Sequence, residues 1–238
     1  LIRGAFNLGT VLYEKDKWPA GITPGELLQN LAVYGRSGSG KTNVVFHLIE
    51  QLVERNAPFV LLDWKRTGRH LIPLLPHRIP VYTAGRPLAP FPFNPFLPPP
   101  GMDEHVYIAH VVDVMAEAYS LGDGAISLLE RALTECYNKG TVTVGAVQSA
   151  LEEIPDKGRV HGWKVSAQRA LGSMAFAQMA GSGSQEEVIA SLVHESAIIE
   201  LDALGSNATR FLVPLLCLWL YRVKLAASVR EELGLVLI

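Results

Sequence analysis

The sequence is poor in the features that mark several whole classes of protein. It has only two cysteines, Cys136 and Cys217, far apart and without C-x-x-C spacing. That excludes a disulfide scaffold and a thiolate zinc site, and it fits a reducing cytosol. Long hydrophobic runs are absent: the longest, residues 211–221 (FLVPLLCLWLY), is too short to cross a bilayer as a helix. No signal peptide is visible, so a cytoplasmic protein without a membrane partner is expected. Charge is also scarce, at 18% of residues with a net charge of −2. No global basic field advertises nucleic acid, and any such contact has to come from local patches or from an assembly. The seven histidines are scattered, and His105 and His110 stand five apart, which does not stack two metal ligands on one helix face.

What is present is a large apolar reserve, 49% of 238 residues. This is enough for one large α/β domain, or one domain with an insertion. Both ends read as interiors: LIRGAFNLGTV opens without an initiator Met, and EELGLVLI closes on aliphatic residues as though a buried strand were beginning. A fragment of a longer protein is expected.

Along the chain, LAVY at 31–34 reads as a short buried strand. Residues 42–55 follow as an amphipathic helix, with Val45, Leu48, Ile49, Leu52 and Val53 at three- and four-residue spacing. PFVLLDW at 58–64 is a continuous apolar run, as expected for a strand of a parallel sheet covered on both faces, and IPVYT at 79–83 is a third strand. Residues 86–100 hold seven prolines and read as a rigid, extended surface segment, with a proline-motif docking site as the alternative. From 103 to about 194 the pattern is helical, with helices expected over 103–119, 126–138, from an N-cap at Thr143, and over 165–179. SAIIELD at 196–202 returns to strand, 208–227 to helix, and LGLVLI to strand. This order predicts a doubly wound α/β fold with a helical insertion. The expected division is an N-terminal core part over 1–102, a helical insertion over 103–195 and a return to the core over 196–238.

One stretch carries chemistry. GRSGSGKT, residues 35–42, fits G-x-x-x-x-G-K-[ST]. Gly35, Gly38 and Gly40 open backbone angles closed to other residues. The loop can then turn the N–H groups of Arg36, Ser37, Ser39 and their neighbours through Asn43 around phosphate oxygens, at the positive end of a helix. Lys41 supplies a point charge for the β- and γ-phosphates, and the Thr42 hydroxyl is placed to ligate Mg²⁺. ATP and Mg²⁺ are the cofactors this implies. Hydrolysis needs a second acidic centre at a strand end, and the places that qualify are Asp63, Asp202 with Glu200 two residues earlier, and whatever follows LGLVLI. Asp63 can serve the phosphates or cap the next turn; for Asp202 the structural reading is preferred.

NLAVYGRSGSGKTNVVFHLIEQL, FVLLDWK, GWKVSAQRAL, AIIELDAL and the 211–225 helix leading into LGLVLI together resemble the HerA/FtsK group of ring-forming ATPases, the HerA-like branch most closely. The resemblance runs from about residue 12 to 238. It implies a RecA-like P-loop core, a homohexameric ring with ATP between subunits, and DNA driven through a central pore. The implied partner is a NurA-type nuclease or a defence effector, so the role is repair or antiphage defence. In that family the strand matching LGLVLI runs on into the acidic pair that binds Mg²⁺ and activates water; here the sequence stops before it. The family's D-P-K-G-E-like segment is DWKRTGRHL here, which adds Arg66, Arg69 and His70. That basic cluster either faces a DNA backbone inside a ring or is a solvated loop or makes salt bridges between subunits, the last two preferred. Arg169, in SAQRAL, either reaches a neighbour's nucleotide or is a surface arginine. The alternatives in function are a type IV secretion or conjugation ATPase, and a nucleotide-binding ring scaffold that recruits an effector without hydrolysis.

Overall fold

The computed structural model describes residues 4–13, 16–75, 79–176, 185–226 and 233–238. Its centre is a four-stranded parallel sheet made of β3 (Phe59–Asp63), β4 (Val81–Thr83), β5 (Ala197–Glu200) and β6 (Val236–Leu237), in the order β4-β5-β3-β6. Every residue of β3 and β5 is buried, so their unbroken apolar runs are those of strands covered on both faces.

The two faces are divided by the period-two alternation of strand side chains. Val60, Leu62, Ala197 and Ile199 point into a large core shared with the helices that follow. Phe59, Leu61 and Ile198 point the other way, onto Leu48, Ile49 and Leu52 of α2 (Lys41–Glu54), with Phe6 and Leu71 beside them. The sheet is thus a middle layer between α2 and a helical block. That block comprises α3 (Glu104–Tyr119), α4 (Asp123–Asn138), α5 (Val144–Glu153), α6 (Val160–Phe176) and α7 (Gln185–Leu192), and α8 (Ser206–Ala226) packs on α3. Caps fix their starts as the sequence indicates. The Asp103 carboxylate accepts from the N–H groups of His105 and Val106, and the Thr143 hydroxyl accepts from Ala146 N–H. Residues 177–179 of the expected 165–179 helix, and residue 227, lie outside the described residues. No helix of the described residues is long and apolar enough to cross a membrane.

Three elements depart from expectation. An antiparallel hairpin, β1 (Phe6–Tyr13) with β2 (Asp16–Ile22), and a one-turn helix α1 (Pro24–Leu27) precede the phosphate loop. Gln51 of α2 ties the hairpin down: its amide accepts from Asn7 N–H at 2.6 Å and donates to Asn7 O at 2.9 Å. The α1 turn carries a full capping box between Thr23 and Glu26, a T-x-x-E signature legible in the sequence.

The proline-rich segment is a surface strap only over residues 87–90, which are exposed, and turns inward from Phe91. Phe91, Phe93 and Phe96 are buried in the large core; Phe91 stacks on Phe93, and Phe93 meets Trp219 edge-on. Prolines prevent ladder pairing, so side chains satisfy the carbonyls instead. Tyr107 Oη donates to Pro95 O at 2.8 Å, Tyr137 Oη donates to Phe96 O, and Trp219 Nε1 donates to Leu97 O at 3.0 Å.

Residues 31–34 form no strand, and Leu31 and Tyr34 are exposed. A strand needs a hydrogen-bonded neighbour, and here an apolar groove of about 570 Å³, lined by Leu28, Leu31, Val33, Leu235 and Leu237 among others, separates this segment from β6. Hydrophobicity alone does not place a segment in a sheet.

Candidate nucleotide-binding site

The loop 35–40 sits at the start of α2, at the turn where local sequence demands it. Gly38 and Gly40 adopt φ of +78° and +87°, in the left-handed region where a Cβ costs about 1–2 kcal/mol. Gly40 is the N-cap and provides no side chain to the helix start. The first-turn amides of α2 have no carbonyl four residues earlier within the helix to bond to, and no acidic residue lies in that turn. Gly35 is needed for space: a Cβ there would run into Ser39 Oγ. Ser39 N–H donates to Arg36 O at 3.2 Å, closing the loop.

Lys41 folds back over this concavity. Its Nζ donates to Gly35 O at 2.8 Å and to Arg36 O at 2.6 Å. The ammonium is therefore held against the loop while staying accessible to solvent. Thr42 and Asn43 are exposed at the helix mouth. The residues fit a phosphate chain in kind: two left-handed glycines, a helix start without a side-chain cap and a lysine bent back onto the loop.

The other sequence candidates gather at the carboxyl ends of the strands. The register sets Asp63, Glu200 and Thr83 side by side. Asp63 is buried, and its carboxylate caps the following loop, accepting from Lys65 N–H at 2.9 Å and Gly68 N–H at 2.6 Å. Both of its oxygens are thus engaged by the chain's own backbone. Glu200 is fully buried. Arg69 grips it with two bonds, Nε to Oε1 at 2.5 Å and Nη2 to Oε2 at 2.8 Å, and Arg66 Nε stands 3.4 Å from Oε2. The bond to Glu200 holds the Arg69 guanidinium protonated above its ordinary range. Arg86 pairs with Asp202.

Arg66 and Arg69, read from the sequence as part of a basic cluster, are paired with Glu200 within the chain, while both side chains stay partly exposed. Their charge is met inside the chain by a carboxylate with no access to water, to which neither sequence distance nor loop composition pointed. Glu200 is the residue that sequence reasoning undervalued; its position ending a run of buried apolar residues was the available signal. Arg169 lies exposed on α6, with Nη2 3.4 Å from Ser166 Oγ.

Comparison with known proteins bears on the first part of the chain directly. Residues 6–95 match the family described as "Helicase HerA, central domain". This stretch is HerA-like. The match takes in the hairpin, the phosphate loop, α2, β3 and β4, and ends inside the proline-rich segment. No curated protein matches the chain. Among solved structures, the chain is similar to one titled "Structure of VirB4 of Thermoanaerobacter pseudethanolicus", with a TM-score of 0.60 and 11% identity over 95% of this chain. At that identity the likeness is one of fold. The chain spans 63% of the length of that VirB4 chain. The fold is therefore like that of the VirB4 chain, an α/β architecture with its mainly parallel sheet flanked by helices, and residues 6–95 within it match the HerA central domain. The segments beyond residue 95 are supported by the fold likeness alone.

Proposed function

We propose that this chain is the motor domain of a HerA-type ATPase that binds Mg-ATP at residues 35–43 and uses its hydrolysis to move DNA as a homohexameric ring. The observation that carries the reading is the loop itself: left-handed Gly38 and Gly40, uncapped first-turn amides and Lys41 drawn across them, within the segment that matches the HerA central domain. In this reading the amides of the loop and Lys41 hold the β- and γ-phosphates and stabilise charge on the transferred group. Thr42 would hold the metal, which neutralises phosphate charge when bound. Asp63, with both oxygens engaged by its own loop, keeps that loop in place. A NurA-type nuclease or a defence effector is the partner class that goes with this reading.

The likeness to VirB4 supports a second reading, a secretion- or conjugation-type ATPase. A third, a ring scaffold that binds nucleotide without turnover, shares the same loop. One experiment separates them. Phosphate release is measured with and without duplex DNA, alongside the mass of the assembly in solution. DNA-stimulated release from a hexamer that Lys41→Ala abolishes supports the motor. Turnover indifferent to DNA supports the secretion-type reading, and tight nucleotide binding without release supports the scaffold. Normal turnover in the Lys41→Ala chain would falsify the site itself.

A further inference from the structure

Away from the phosphate loop, two depressions lie along the same pair of helices. The first, of about 430 Å³, has a floor of Val114, Ala118, Val213 and Pro214, a wall made by Trp64, and Arg210 on its rim. Trp64 is 51% exposed, yet its backbone is fixed, because the Asp63 carboxylate immediately before it caps the loop. The second, of about 240 Å³, begins at the adjoining residues Tyr119 and Asn207 and is lined by Ser166, Arg169 and Ser173 of α6.

The polar groups here are unusually uncommitted. Arg169, Arg210 and neighbouring Lys65 form no ion pair among the described residues. This sets them apart from Arg66, Arg69 and Arg86, which carboxylates hold. The Tyr119 hydroxyl is buried and makes no hydrogen bond of ordinary length among the described residues, with Ser173 standing beside it. Burial pushes its phenol up, partly offset by Ser173 beside it, so it stays a donor. No carboxylate lines the second depression. Glu117 lines the first, where it can accept from the exocyclic amino group of a base.

An exposed indole on a rigid loop, beside an apolar floor and free guanidinium groups, is the combination that binds an unpaired strand: bases stack, and phosphates meet cations. We infer that this surface binds single-stranded nucleic acid, with a base against Trp64 and the flanking phosphates at Arg210 and at the Arg169–Ser166–Ser173 pocket. The inference rests on the DNA-motor reading for its biological setting, but the binding itself requires neither ATP nor Lys41.

The test is fluorescence anisotropy of a labelled oligodeoxycytidylate of about 12 nucleotides, whose exocyclic amino groups suit Glu117, with the full chain, in low salt and without nucleotide. Binding is expected. Trp64→Ala should weaken it about tenfold, and Trp64→Phe should restore most of the loss. Replacing Arg169 and Arg210 together by Gln should reduce the slope of log affinity against log salt by about 1.4, near 0.7 for each lost phosphate contact. Lys41→Ala should bind the oligonucleotide as the parent does, so a failure of the ATPase reading stays separate from a failure here. Three outcomes overturn the proposal: no binding, equal binding by parent and both variants, or displacement by poly-glutamate with no dependence on Trp64. The last would reassign the surface to an acidic protein.

Discussion

The phosphate loop and the strand-end cluster make an instructive pair. Both are short, glycine-containing, cation-bearing stretches that follow each other within about one βα unit. Around residues 35–43 no side chain caps the start of α2, and Lys41 is bent back onto carbonyls of its own loop, the partners of its ammonium among the described residues. At the strand ends the charges except that of Lys65 are answered: Asp63 by two amides, Arg69 and Arg66 by Glu200, and Arg86 by Asp202. The first is built to meet something, the second to hold three strand ends together. Charge in a sequence does not separate the two cases; the position of the counter-charge does.

That contrast can be broken by moving stability and nucleotide binding independently. The largest expected effect is Glu200→Ala. It leaves the guanidinium groups without their buried anion and should lower stability by about 3 kcal/mol, read as a shift in urea midpoint at unchanged slope. ATP affinity of the folded fraction should stay within about twofold; a large loss would show that the cluster reaches the nucleotide after all. Next, Lys41→Ala should cut turnover about 100-fold or more while the midpoint moves by no more than about 0.5 kcal/mol. A cooperative unfolding shift of several times that size would make Lys41 a structural residue. Asp63→Ala uncaps a buried loop and should cost about 2 kcal/mol, with nucleotide affinity preserved. Smallest, Gly40→Ala should cost about 1 kcal/mol in stability and more than that in nucleotide affinity, because the left-handed turn aims the first amides of α2; equal losses in both would remove the distinction.

How far the sequence could be read depended on range. The motif at 35–42, the starts of α3 and α5, and the apolar strands β3 and β5 are local patterns, and local geometry follows them. The hairpin β1–β2 was missed, and its docking depends on Gln51, more than forty positions away. Three phenylalanines in a proline-rich run read as surface, because burial there is supplied by α3, α4 and α8, which come later. The 31–34 segment has strand composition and no strand neighbour.

The sequence by itself determined the phosphate-binding loop, the helix that follows it and the alternation of buried strands with helices. Turn angles, caps and hydrophobic period act over a few residues, so composition and spacing are enough. Only the tertiary structure decided which charges remain available. Whether an arginine is a ligand-binding group or half of an internal pair depends on a carboxylate brought to it across the sheet: strand register, not chain proximity, places Glu200 beside Arg69, while Arg169 and Arg210 have no ion pair among the described residues.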